Sequence, residues 1–183
     1  MKIIIILLFV SNSIFSQTNA AKIIFNDGTE LEGFASIYKL NKIKFSLTKD
    51  KQPEIWTDLM VKQIIFFGFE FSRTLEYVKL KPNKSAKLLE VITEGYVTLY
   101  ADVKTTSFYT SDFGVNPTKN EFTTTKLFVK KEGEFPVKLG SFKRKIKDYF
   151  TDCIGLHRKL DSGEIKTNNL KEIVEYYNDY CSD

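Results

Sequence analysis

The chain has 183 residues, with 27 Lys and Arg against 23 Asp and Glu, a single His and two Cys, for a net charge of +4. That surplus is far below what a dedicated nucleic-acid binder carries, and one His with two Cys is too few for a zinc site. No Gly-rich phosphate loop, dinucleotide fingerprint or G-x-S-x-G elbow occurs, so no cofactor and no nucleic acid are expected.

Met1-Lys2 is a short positive start, Ile3 to Val10 an unbroken apolar run, and Ser11 to Ser16 a small, polar exit. This is the layout of a secretory signal peptide, with an N-terminal core strand as the alternative. A membrane-spanning helix needs roughly 20 apolar residues, so no transmembrane span is expected in the mature chain. Cleavage after Ser16 leaves Gln17 first, and cleavage after Ala20 is the other option. No Cys follows the apolar run, which argues against a lipid-modified N-terminus. Residues 17–183 then form a single mature domain of 167 residues, enough for a real core. Its 26 basic residues against 23 acidic ones give +3. The expected destination is the periplasm or outer envelope, or the exterior.

The body, residues 20–140, reads as antiparallel and β-rich. Lys22 to Phe25 runs into the turn signal Asn26-Asp27-Gly28 and then Thr29 to Tyr38. Lys42 to Leu47 alternates Ile43, Phe45 and Leu47 against Lys42, Lys44 and Ser46, the pattern of a half-buried strand. Glu54 to Thr57 and Gln63 to Phe67 follow. This order, with Gly33 inside the second run where it permits sharp bending, resembles a small SH3-like or Sm-like barrel over residues 21–67. Sm-like proteins bind RNA, but the export signal argues against an RNA partner here.

Phe69 to Leu80 extends the β pattern as far as Lys81-Pro82-Asn83. Lys87 to Val103 reads as a central hairpin turning at Glu94-Gly95-Tyr96, with Leu89 and Val91 on one face and Leu88, Glu90 and Ile92 on the other. Thr105 to Tyr109 is a further strand, and Thr110 to Glu121 should be the longest loop. Thr123 to Lys131 and Glu134 to Leu139 form a closing hairpin, with Pro136 pushing the second arm toward an edge.

From Ser141 the period changes. Phe142, Ile146, Tyr149 and Phe150 share a helical face with Ser141 as a plausible N-cap, and Asp152 can cap a second helix that Ser162-Gly163 ends. Asn169 with Glu172 is a capping box for a last helix whose inward stripe is Leu170, Ile173, Val174, Tyr177 and Cys181. The fold class is therefore α+β, a β-rich body with a barrel-like start followed by a clasp of two or three helices over residues 141–183. An exported chain with an even Cys count favours a Cys153–Cys181 disulfide, two buried free thiols being the alternative.

The succession LLEVITEGYVTLY, SFYT, KLFVKKEGEF, YFTDC and LKEIVEYYNDYC resembles a set of uncharacterised exported proteins of Bacteroidetes-type bacteria. The resemblance spans most of the mature chain and implies export and the cysteine pair, with no particular reaction.

Chemistry is sparse. His157 would have to serve any Ser-His or Cys-His catalyst, and a surface or helix-packing role suits it better. Glu30 and Glu32 share a strand face, as exposed strands often arrange carboxylates, and give only a slender case for a glycosidase-type pair. No catalytic residue and no metal ligand is assigned. From Lys126 to Lys147 eight cations face two acids, whereas Asp161 to Asp183 carries six acids against two lysines. Lys143, Arg144, Lys145 and Lys147 are thus candidates for contact with an anionic surface, the alternative being a solvated face neutralised by the acidic last helix. The 16 Phe and 9 Tyr could line a pocket for a lipid or other apolar ligand, or simply fill the core. The leading expectation is a non-enzymatic binding module of the cell envelope that engages an envelope protein or component, with an apolar-ligand carrier as the alternative.

Overall fold

The computed structural model describes residues 18–39, 41–68, 71–110 and 118–182. The expected signal peptide, Phe69 and the middle of the expected long loop lie outside these residues. One nine-stranded antiparallel sheet is followed by three helices, an α+β arrangement. The strands are β1 (Asn19–Phe25), β2 (Glu30–Tyr38), β3 (Lys42–Ser46), β4 (Glu54–Trp56), β5 (Val61–Phe67), β6 (Ser72–Val78), β7 (Lys87–Thr93), β8 (Val97–Thr110) and β9 (Thr118–Lys131). Their order is β4-β3-β2-β1-β5-β6-β7-β8-β9, so the sheet is open and the barrel-like start does not close. β5 returns to pair with β1, and the hairpin β7–β8 lies toward one end of the sheet instead of at its centre.

Local chemistry sets the turns and the close approaches. Asp27 Oδ1 accepts hydrogen bonds from Thr29 N at 2.9 Å and Thr29 Oγ1 at 2.7 Å, while Gly28 takes φ +85°. Gly33 is needed for space: a Cβ there would lie 2.6 Å from the Phe45 ring and 2.5 Å from the Ser46 carbonyl.

Register places two of the three cores on one face. Ala21, Ile23, Ala35, Ile43, Phe45, Ile64, Phe66, Leu75 and Leu88 are buried together there, with Trp56 stacked 4.8 Å from Phe45. The β2–β3 turn bends over this face to meet β6 and β7. Asn41 Oδ1 accepts from Leu88 N at 2.7 Å, Asn41 Nδ2 donates to the Ala86 carbonyl at 3.0 Å, and Tyr77 Oη donates to the Asn41 carbonyl at 2.9 Å. The sheet therefore curls without closing, because one side chain stands in for a strand pairing. Farther along the same face, Val97, Leu99 and Val129 receive the helices. On the opposite face Val78, Leu89 and Tyr100 make a smaller core, so Leu88 and Leu89 are both buried and the hairpin has no purely solvent side.

The helices are α1 (Lys143–Tyr149), α2 (Ile154–Ser162) and α3 (Leu170–Tyr180). α3 has the expected cap: Glu172 N donates to Asn169 Oδ1 at 3.4 Å and Asn169 Nδ2 donates to Glu172 Oε2 at 2.9 Å. Gly163 ends α2 at φ +79°. Two expected caps are corrected. Phe142, in place of Ser141, is the N-cap of α1, because Gly140 turns at φ +68° and Phe142 is still extended. Cys153 precedes α2 in place of Asp152, whose carboxylate is taken by the Tyr177 hydroxyl at 2.6 Å. The second arm of the closing hairpin is reduced to one bridge, Val129 to Val137, consistent with Pro136 lacking a ladder donor. An isolated 11-residue helix is marginal in water. α3 is held by burial of Leu170, Ile173, Val174 and Tyr177, each worth roughly 1.5–3 kcal/mol relative to exposure.

Candidate functional site

β8 and β9 outrun the rest of the sheet. β7 pairs with β8 only from Leu99 to Ala101, whereas β8 and β9 pair continuously from Val97–Lys131 to Thr110–Thr118. Asp102–Thr110 with Thr118–Lys126 therefore forms a two-stranded arm about 30 Å long, at roughly 3.4 Å per residue. Val103 to Ser107 and Glu121 to Lys126 are exposed without a break, so both faces of the arm meet solvent. Thr110 and Thr118 to Glu121 of the expected loop, and the separate strand at Thr105, belong to this ribbon. Thr at 105, 106, 123, 124 and 125 suits an extended backbone. Thr105 Oγ1 and Thr123 Oγ1 lie 3.2 Å apart, and Ser107 Oγ donates to Glu121 Oε1 at 3.2 Å. Phe122 is 54% exposed. Along the arm, among the described residues, neither outer edge pairs with a third strand. An unpaired strand edge offers a row of donors and acceptors to another chain, and Lys104, Lys119 and Lys126 temper indiscriminate pairing.

The arm has a rigid root. Asp102, only 7% exposed, pairs with Lys87 where β8 leaves β7. At the other end of β8, Asn178 of α3 treats Val97 as a strand partner, accepting from Val97 N at 2.9 Å and donating to its carbonyl at 2.8 Å. Tyr149 Oη accepts from Lys131 N at 3.0 Å, and the Lys131 ammonium lies over the Tyr149 and Tyr177 rings. Burial pushes the Tyr149 hydroxyl up to about 12. Burial, aided by the Asp152 hydrogen bond and charge, also raises Tyr177. Burial works against the Asp152 carboxylate, but the Tyr177 hydrogen bond and the Lys131 ammonium hold its pKa below the ordinary value.

A groove of about 530 Å³ opens at the end of the sheet where β1 starts, β2 and β5 end and β6 starts. Its apolar lining includes Ile37, Phe67 and Phe71, which are 36%, 45% and 69% exposed, with Ile37 on the sheet face opposite Phe67. Gly68 N donates to the Phe71 carbonyl at 2.8 Å, and a Cβ on Gly68 would fall 2.6 Å from the Phe71 ring, so Gly68 lets that ring fold back. Lys44 and Arg73 add charge, with Lys44 Nζ 4.4 Å from the Tyr38 ring centroid and Arg73 bound to Glu90 at 2.8 Å.

The residues singled out from sequence fall in separate places. Cys153 and Cys181 form the disulfide, with Cα atoms 5.6 Å apart, joining the start of α2 to the end of α3. Lys147 and Lys143 share Asp161 of α2 at 2.8 and 3.8 Å, Arg144 pairs with Asp148 at 3.9 Å, and Lys145 lies over the Phe142 ring. The basic patch is thus partly neutralised by Asp161 of α2 and by Asp148 of α1 itself, with no ion pair to the last helix among the described residues. His157 Nε2 donates to the Phe150 carbonyl at 2.8 Å, a helix-packing role. Glu30 and Glu32 flank Lys22 at 2.9 and 3.7 Å on an exposed sheet face. Among the described residues no three His, Cys, Asp or Glu side chains converge as a metal site, and no helix is long and apolar enough to cross a membrane.

The pairing that makes the arm, and the groove, escaped the sequence. The run from Val103 to Ser107 lacks alternation because both faces are wet, and Ile37 and Phe67 look like core residues until the strand ends are placed. Comparison with family models, with curated proteins and with solved structures gave no match.

Proposed function

We propose that this chain is an exported, non-enzymatic interaction module of the cell envelope, and that the β8–β9 arm is the element that engages a partner protein. The observation that carries this reading is the arm itself, a ribbon exposed on both faces with unpaired edges, rooted in a packed, disulfide-bearing domain. A ribbon that contributes so little to the core has no evident folding role, whereas strand addition to a free edge supplies affinity through main-chain hydrogen bonds. Export is supported by the layout of residues 1–16 and agrees with a disulfide, which oxidising compartments favour. The candidate catalytic groups are spent on structure: His157 on a helix carbonyl, Glu30 and Glu32 on Lys22.

The test is a shortened arm, with residues 104–124 replaced by a Asn-Gly turn. Its thermal transition should match that of the parent while proteins that crosslink to the parent in the envelope fraction are lost. Retention of the same crosslinked partners by the shortened protein would reject the arm as the contact.

A further inference from the structure

The groove is a second candidate site, remote in sequence from the arm and independent of the reading above. We propose that it binds a single-chain amphiphile with an anionic head group, its tail on Phe67 and Phe71 and its head on Lys44. Phe67 and Phe71 share one groove at 45% and 69% exposure, which is more apolar surface than scattered exposed residues present. The volume of about 530 Å³ lies within the roughly 300–1,000 Å³ of small-molecule sites.

Charge selects the head. No Asp or Glu lines the groove among the described residues. Arg73 is already committed to Glu90 at 2.8 Å, whereas Lys44 makes no ion pair among the described residues and rests only on the Tyr38 ring. Ser36, the register partner of Lys44 across β2 and β3, stands beside it in the lining as a neutral hydrogen-bonding group. A carboxylate there would gain a charge-assisted hydrogen bond from Lys44, and the tail would cover the aromatic wall.

The experiment is calorimetric titration of the exported protein with laurate below its micellar concentration. Parallel titrations use dodecanol, which lacks the charge, acetate, which lacks the tail, and anionic phospholipid vesicles, which present the head groups as a surface. Saturable one-to-one binding of laurate is expected, with dodecanol about tenfold weaker and acetate silent. Lys44→Gln should weaken laurate about tenfold and leave dodecanol unchanged, while Lys44→Arg retains binding. Phe71→Ser and Phe67→Ser, both at exposed positions, should weaken laurate and dodecanol alike with no change in thermal transition. Absence of saturable laurate binding would overturn the proposal, as would binding indifferent to Phe71→Ser and Lys44→Gln, or vesicle binding without laurate binding.

Discussion

Replacing Asn178 by Ala tests whether α3 holds the β7–β8 hairpin by acting as a surrogate strand. The substitution deletes the partner of Val97 N at 2.9 Å and of the Val97 carbonyl at 2.8 Å, and Val97 is fully buried. An unsatisfied buried backbone group costs about 1–3 kcal/mol, so two set an upper bound of about 6. Water can reach part of the site through the exposed Glu94-Gly95-Tyr96 turn, and Ala gains about 0.5 kcal/mol in helix propensity, which brings the expected loss to roughly 2–4 kcal/mol. At about 2–4 °C per kcal/mol for a domain of this size, the thermal transition should fall by about 5–15 °C. Denaturant unfolding gives the free energy, and amide exchange at Val97 gives its local cause. Gly95→Ala supplies a coupled check, because a Cβ there would sit 2.4 Å from Asn178 Nδ2. It should destabilise the parent yet cost much less in the Asn178→Ala background. A loss below about 0.5 kcal/mol with Val97 still protected, or strictly additive effects of the two substitutions, would refute the clasp.

Three further predictions concern the disulfide, the buried tyrosines of sheet and helices, and the charges of α1. Cys153→Ala/Cys181→Ala, or reduction, should cost about 3–4 kcal/mol in denaturant unfolding for a closed loop of this length, and a loss under 1 would contradict a stabilising bridge. Tyr77, Tyr100, Tyr149 and Tyr177 all have raised hydroxyl pKa values, first of all through burial, with Tyr77 and Tyr149 reaching about 12. The neutral hydroxyls thus contribute stability that is fully present below the ordinary value of 10 and is lost as pH rises through their folded-state values. Circular dichroism should show stability level up to about pH 10 and falling toward pH 12, and an unchanged midpoint across that window would count against these buried hydroxyls. Changing Lys143, Arg144, Lys145 and Lys147 together to Gln should leave envelope association at low salt intact, because Asp161 and Asp148 already pair with three of them; loss of association would reinstate that patch as the contact.

Much of the fold was legible because it rests on short-range physics. The Asp27-Gly28 turn, the alternation from Lys42 to Phe45, the Asn169–Glu172 cap and the stripe from Leu170 to Tyr177 each follow from neighbours a few residues apart. The alternation breaks at the strand end, where Ser46 is buried and Leu47 is 51% exposed. Failures occurred where a distant group decided the outcome. Asp152 looks like a cap until Tyr177, 25 residues on, claims it, and Asn41 gives no sequence signal of bonding to Leu88. The barrel-like start was read from strand order, but closure depends on edge pairing, which no local pattern encodes. Thr105 to Tyr109 and Thr123 to Lys131 are legible as strands and belong to β8 and β9 respectively. Their pairing with each other across the expected loop is not, because a ribbon wet on both sides has no apolar face to set the register. The groove depends on which strand ends meet, so Phe67 and Phe71 were indistinguishable from core residues until their 45% and 69% exposures were seen.

Site-specific photo-crosslinking in the native envelope tests whether the arm makes the partner contact. A photoreactive residue would replace Phe122 on the arm, with the exposed Arg158 of α2 as a control position. A discrete adduct from position 122 that is absent from position 158, and lost when the outward-facing N–H of the arm edge is removed by Thr125→Pro, is the predicted result. Equal labelling at both positions, or no adduct at 122 while the protein still associates with the envelope, would contradict it.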